Sequence, residues 1–333
     1  MRHRLVPHNL LRPVQNRSAL SAARAPRGAL PARLRRPRIL VVGCGDVGQR
    51  LLRQQQRPGG GPRWLALTSQ PDKRAALRAL GALALVGNLD APASLRRLAG
   101  IAHRVLHLAP PPTEGERDPR TRHLLRSLRR AAVPRALVYG STSGVYGDCA
   151  GEWVAETRPL RPQTPRARRR VDAERMVRSL PSATRASVLR IPGIYAPDRE
   201  GGTPLARLQR GNPVLRAEED VFTNHIHADD LARACWLALW RGRARRVYNI
   251  NDDSQMRMGD YFDAAARWYG LPLPPRVSRA DAGKVLGAMQ LSFMSESRRL
   301  RNSRMKAELG LRLRFGDPLA GLQAERPVDA GLG

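Results

Sequence analysis

Arg38-Ile-Leu-Val-Val-Gly43 is an apolar, β-branched run that closes on glycine, and Gly43-Cys44-Gly45-Asp46-Val47-Gly48 leads from it into the helix-like stretch Gln49-Arg-Leu-Leu-Arg53. A strand, a tight glycine turn and a helix in this order constrain the fold more than any other feature of the chain. Gly43 permits a sharp turn, Gly45 lets backbone approach a ligand without a Cβ in the way, and Gly48 allows close helix packing. Free N–H groups at the start of the helix are suited to an anion, so the spacing GxGxxG in this setting predicts a pyrophosphate cradle for a dinucleotide. Asp46 is discordant, because a carboxylate beside phosphates repels them unless it points elsewhere.

The text after the turn alternates. Strands are expected at 64–68, 83–86, 104–109 and 136–139, with helices at 72–80, 91–99 and 119–132 between them. Repeated strand and helix segments imply an α/β fold, a Rossmann-like doubly wound parallel sheet covered on both faces. Beyond residue 150 a helix over 164–180, a strand at 187–191, a helix over 229–240 and a strand at 247–250 continue the pattern with looser spacing. The expected organisation is a basic tail over 1–37, a dinucleotide-binding domain over 38–200 to which 224–252 returns, and a smaller substrate lobe from 201–223 and 253–325. The tail holds no acid and is broken by prolines, so it is expected to be disordered or to reflect an over-extended start.

At the end of the second strand, where an acid would meet a ribose 2′-OH in an NAD site, stand Thr68, Ser69 and Gln70. Lys73 and Arg74 follow, close enough to meet a 2′-phosphate, so NADP is favoured over NAD. The turn containing Asn88 and Leu89 is expected beside the adenine, and Leu108, Ala109 and Pro110 beneath the ribose.

Charge bears on partners. Lys plus Arg is 59 against 28 acidic residues, a formal net charge of +31. A balance this basic raises nucleic acid as a partner, but only three of the cations are lysines and aromatics are 5% of the chain, with no interleaving that would make a stacking platform. Nucleic acid is therefore disfavoured and a small-molecule substrate expected, with a homodimer left open. No apolar run approaches the roughly 20 residues of a membrane-spanning helix. Cys44, Cys149 and Cys235 are far apart and form no CxxC pair, which fits a reducing, cytoplasmic setting. His225, His227 and Asp229 alternate, yet no further ligand cluster accompanies them, so no metal site is expected.

Taken together, the glycine turn, Tyr139-Gly-Ser-Thr-Ser-Gly-Val-Tyr-Gly-Asp148, Leu189-Arg-Ile-Pro-Gly-Ile-Tyr195, Asn224-His-Ile-His-Ala-Asp-Asp-Leu231 and Val247-Tyr-Asn-Ile-Asn-Asp252 resemble the extended and atypical short-chain dehydrogenase/reductases, in particular the NAD-dependent epimerase/dehydratase group. The resemblance runs from about residue 38 to 322. The extended enzymes usually carry GxxGxxG, whereas the shorter GxGxxG here is typical of the atypical branch. The resemblance implies an oxidoreductase or epimerase acting on a sugar-like or other hydroxyl or carbonyl substrate. It also implies a Ser or Thr on the fifth strand that binds the developing oxyanion, and a Tyr with a Lys four residues on that moves the proton. Thr142 matches the first. The segment Thr164-Pro-Arg-Ala-Arg-Arg-Arg-Val-Asp-Ala-Glu174 places Arg166 and Arg170 where the Tyr and Lys would stand. Arginine stays protonated, so Arg166 cannot exchange a proton as a tuned phenol does, while Arg170 is suited to a ribose hydroxyl or phosphate. Tyr146, Tyr195 and His227 are the candidates for a replacement acid/base, with a structural role for His227 as the competing reading. The rival function is a non-catalytic dinucleotide sensor or scaffold that kept the glycine turn and lost the relay.

Overall fold

A computed structural model describes residues 36–56 and 60–324. The tail expected over 1–37 falls almost wholly outside these residues, as does residue 325. Seven strands form one sheet: β1 (Arg38–Val42), β2 (Arg63–Thr68), β3 (Ala82–Val86), β4 (Arg104–His107), β5 (Ala136–Thr142), β6 (Arg185–Ile191) and β7 (Arg246–Asn249). Their spatial order is β3-β2-β1-β4-β5-β6-β7 and every neighbouring pair is parallel. The winding reverses between β1 and β4, which places the glycine turn after β1 at the topological switch point of the sheet.

Alternation along each strand divides the core between two faces. Ile39 and Val41 of β1, Leu106 of β4 and Val138 of β5 pack on one side with α1 (Asp46–Gln54). Leu40, Val42, Val105 and Leu137 face the other side, against α2 (Pro119–Leu128) and α3 (Pro165–Arg178). A fourth helix, α4 (Ala228–Arg241), lies beside α1 on the first face and adds Leu231, Cys235 and Leu239 to its core. The start of α3 follows from its sequence. Thr164 accepts a hydrogen bond from the Ala167 amide at 3.2 Å, and Pro165 occupies the first helical turn, where a missing N–H costs nothing.

Several boundaries differ from those expected, and three of the differences bear on packing and on the site. Residues Pro92–Leu98 form a 3₁₀ segment and not an α-helix, although Leu95 and Leu98 are buried as the apolar spacing requires. Strand β4 stops at His107 because the amides of Leu108 and Ala109 both turn to the Val42 carbonyl, at 2.8 and 3.0 Å. Strand β5 extends past Tyr139 to Thr142, since Gly140, Ser141 and Thr142 keep pairing with Leu189, Arg190 and Ile191. That extension carries Thr142 to the rim of the sheet.

Beyond the sheet, Val214, Leu215, Val221, Phe262 and Ala265 form a separate apolar cluster, covered by α5 (Met258–Tyr269). Glu174 on α3 and Arg190 on β6 form an ion pair at 2.8 Å with both side chains 2% exposed. Ser141 of β5 donates to the same carboxylate at 2.6 Å. Removing one partner of a buried pair leaves the other charge uncompensated. Glu174→Ala is therefore expected to lower the unfolding free energy by about 3–5 kcal/mol in urea titration. A loss within 1 kcal/mol of zero would show that the pair is not anchoring the helix.

Candidate active site

The turn after β1 is built on steric need. Gly43 has φ +80°, and a Cβ on it would lie 2.4 Å from the Ala109 amide nitrogen, so the residue serves the crossing of β1 and the end of β4. A Cβ on Gly48 would lie 3.1 Å from Cys44 Sγ and 3.3 Å from Val41 Cγ1, which fixes how closely α1 packs on its own strand. Gly45 differs, because a Cβ there would meet no heavy atom within 4 Å. The space above it is an open cradle at the N-terminus of α1, where first-turn amides lack intrahelical acceptors. The residues present thus suit a dinucleotide diphosphate.

Asp46 ceases to be discordant in three dimensions. Its Oδ1 accepts from Arg50 Nε at 3.0 Å and its Oδ2 from Arg199 Nη1 at 2.6 Å. Arg50 is itself buried and pairs with Asp229 at 3.0 Å and with Asp198. The carboxylate is neutralised from two sides, one of them a loop well over a hundred residues away in sequence.

Two contiguous cavities meet at the rim. The first, of ≈ 560 Å³, is lined by Gly43, Gly45, Asp46, Val47, Gly48, Leu108, Pro110, Thr142 and Arg170 among others. The second, of ≈ 520 Å³, opens between the sheet and the region around α5, and the two share Thr142, Arg166, Pro192, Ile194 and Arg199. Several expected cofactor residues lie elsewhere. The Cys44 and Leu89 side chains enter the core, and burial pushes the Cys44 thiol up to about 12, so it is no thiolate. Ala109 contributes the backbone beneath Gly43. Thr68, Ser69 and Gln70 stand at the end of β2, with the Thr68 hydroxyl accepting from the Gln70 amide at 3.1 Å, and Asn88 is exposed with its side chain holding the Asp90 amide at 2.9 Å. None of these four lines the first cavity.

Thr142 faces both cavities, and its Oγ1 accepts from the Gly144 amide at 3.3 Å, leaving its proton available to an acceptor in the cleft. Of the three replacement acid/base candidates, Tyr195 lines the second cavity, with its hydroxyl donating to the Asp317 carbonyl at 3.0 Å, and the other two line neither cavity. Tyr146 is 1% exposed and donates to Asn249 Oδ1 at 2.7 Å, with burial pushing its phenol up to about 12. His227 is buried beneath Phe315, and its Nδ1 caps α4 by accepting from the Asp229 amide at 3.2 Å. Both side chains are buried and engaged in hydrogen bonds within the fold. Arg170 lines the first cavity, held by bonds from Nη1 to the Gly140 carbonyl at 2.6 Å and the Tyr139 hydroxyl at 3.1 Å. Arg166 lines both cavities in the field of Arg170 and Glu296.

The second cavity also gathers residues that the sequence reading did not name as site candidates: Arg199, Arg207, Glu296 and Arg298, together with His225. Glu296 pairs with Arg298 at 2.7 Å, and its Oε2 is 3.9 Å from where a Cβ on Gly144 would stand. His225 is buried against Tyr261, and burial lowers its pKa to about 4, which keeps the ring neutral near pH 7.

Residues 39–251 match the family described as the NAD dependent epimerase/dehydratase family. The chain belongs to that family. A protein from Silicibacter pomeroyi, described as functionally unknown and conserved, is 33% identical, with 86% of this chain and 97% of that one covered at a TM-score of 0.73. MoeE5, solved in complex with UDP-glucose and NAD, shares the fold at 22% identity and a TM-score of 0.66, with 86% and 96% of the chains covered. A 3-diazoavenalumate denitrifying reductase from a Streptomyces species is 28% identical over 200 residues, and the match spans 57% of this chain and 64% of the reductase. Among the described residues no helix is long and apolar enough to cross a membrane.

The neutral, buried state of His225 has a pH signature. An unfolded histidine titrates near pH 6.5, whereas His225 in the fold holds out until about 4. Between these values the unfolded chain takes up a proton that the folded chain refuses, so stability is lost as pH falls. Urea unfolding of the protein and of His225→Phe should show the protein losing about 2 kcal/mol relative to the variant between pH 7 and pH 5. Parallel curves for the two would contradict a buried neutral ring.

Proposed function

We propose that this family member is an NAD(P)-dependent oxidoreductase, with NADP preferred, that transfers hydride at a carbonyl or carbinol carbon of a small molecule placed in the second cavity. The observation that carries the reading is the open cradle above Gly45, at a helix start, continuous with a second cavity through Thr142. Gly43, Gly45 and the first-turn amides of α1 hold the diphosphate, Leu108 and Pro110 flank the ribose, and Arg170 offers donors to its hydroxyls. A nicotinamide dinucleotide supplies hydride to a carbonyl carbon or accepts it from a carbinol. Thr142 donates its hydroxyl proton in a hydrogen bond to the substrate oxygen as charge develops there. With Arg166 and Arg170 at the positions of the usual Tyr and Lys, the proton is handled by a group other than a phenol. Glu296 is the carboxylate that lines the second cavity beside Arg166. The preference for NADP rests on the lack of a carboxylate at Thr68 to Gln70 and on exposed Lys73 and Arg74 just beyond.

A second reading has its own support. The charge of Arg170 is engaged with the Gly140 carbonyl and the Tyr139 hydroxyl, as a structural residue would be, and Arg166 cannot relay a proton. A dinucleotide sensor without turnover would show both features.

Fluorescence titration with NADPH and NADH tests the binding claim, and saturable binding of NADPH is expected. Gly45→Ala meets no steric obstacle in the fold, so its melting temperature should stay within about 2 °C while NADPH affinity falls about tenfold or more, a change of about 1.4 kcal/mol. Unchanged affinity would remove the cradle from the reading. In a screen of carbonyl compounds followed by NADPH oxidation, Thr142→Ala should lower kcat by about a hundredfold. Binding without turnover of any compound would favour the sensor.

A further inference from the structure

Among the residues lining the second cavity are four arginines, Arg166, Arg199, Arg207 and Arg298, and one carboxylate, Glu296. Three of these cations have acidic neighbours. Arg199 is paired with Asp46 at 2.6 Å, Arg298 with Glu296 at 2.7 Å, and Arg166 feels Glu296. Arg207, on the short helix Leu205–Gln209, does not. Its Nε and Nη2 are covered by protein and meet no hydrogen-bond acceptor among the described residues. Its guanidinium carbon stands 4.3 Å from the centre of the Phe262 ring, and the charged neighbour that acts on it is another arginine, Arg210. A desolvated cation without a counter-charge is costly in a folded protein and is found chiefly where a ligand completes it. One part of the wall is aromatic and apolar: Tyr195, His225, Phe222, Met258, Tyr261 and Phe262 line the same space. Two polar groups beside this wall are already committed within the protein. The Tyr195 hydroxyl donates to the Asp317 carbonyl at 3.0 Å, and the Asn224 amide bonds the Arg298 carbonyl and the Leu300 amide, both at 2.9 Å.

We infer that the second cavity receives a small planar monocarboxylate, its carboxylate completing Arg207 and its apolar body lying against the aromatic wall. The inference rests on the proposed function only in taking this cavity as the substrate site. Arg207, which has no acidic neighbour among the described residues, calls for one negative charge. A nucleoside diphosphate would bring two or more charges to it. Carboxylates suit a guanidinium because its planar N–H groups match the two oxygens in geometry.

Isothermal titration of the full chain tests this, first with NADPH alone and then, in its presence, with benzoate, cinnamate and phenylpyruvate beside their methyl esters. At least one acid should bind about tenfold or more tightly than its ester, Arg207→Met should abolish that difference, and Arg207→Lys should restore part of it. Arg210→Met, on an exposed neighbour, should keep the full preference. Equal binding of acids and esters, or no binding of any acid, overturns the inference. Tighter Arg207-dependent binding of UDP-glucose than of every acid overturns it too, by assigning the guanidinium to a diphosphate. If Arg207→Met does not fold, the comparison of acids with esters on the unaltered chain decides alone. NADPH binding without acid preference removes this inference and leaves the dinucleotide reading. Failure of NADPH binding removes that reading, and the acids titrated alone still test Arg207.

Discussion

The buried pair of Glu174 and Arg190 holds together the part of the molecule where the cleft is made. Arg190 comes from the rim end of β6, Glu174 from α3, and Ser141 from β5 donates into the same carboxylate. The guanidinium also donates to the Glu156 carbonyl at 3.2 Å and stands 4.7 Å from the Tyr146 ring, whose hydroxyl reaches Asn249 on β7. Two strands and a helix thus meet on one carboxylate, and β7 joins them through Tyr146. Two ions so far from water are tolerated only because nearly every donor and acceptor is satisfied, and such networks define geometry more than they add stability. What they define here is the seat of α3, and with it the positions of Arg166 and Arg170 over the ends of β5 and β6.

Electrostatics on the rim follow a different logic. Arg50, Asp46, Asp198, Asp229 and Arg199 form a linked set that ties the glycine turn to the start of α4 and to the loop after β6. Acid and base alternate within it, so a carboxylate can sit inside a diphosphate cradle without repelling the diphosphate. The Arg-rich composition, read along the chain as a diffuse excess of charge, is spent in part on specific pairs such as these. Arg207 is the exception that gives the second cavity its character.

How much of this was legible in the sequence depended on range. The glycine turn, the alternation of strands and helices, and Thr142 on the fifth strand are local signals, since each depends on the spacing of a few neighbouring residues. The 3₁₀ segment at Pro92–Leu98 misled because apolar spacing reports burial and not helix type. Tyr146 and His227 looked available because a sequence displays side-chain chemistry without direction, and the partners that occupy them, Asn249 and the Asp229 amide, belong to the folded chain. Arg207, Glu296 and Arg298 carry no motif. They reach the cleft because the chain folds back over the rim, and no short window of residues reports that.

The all-parallel sheet has a consequence for how the chain reaches this state. Among the described residues no two adjacent strands of the sheet are joined by a hairpin. The pairs β1–β4 and β6–β7 join residues about sixty positions apart, as Ile39 with Arg104 and Ser187 with Arg246 show. Each ladder therefore requires a long segment to be gathered before its hydrogen bonds can form, so chain entropy is lost well ahead of the compensating contacts. The winding that delivers Gly45, Thr142 and Arg170 to one rim makes assembly slow, and it leaves the apolar strands exposed to intermolecular association while they wait for their neighbours.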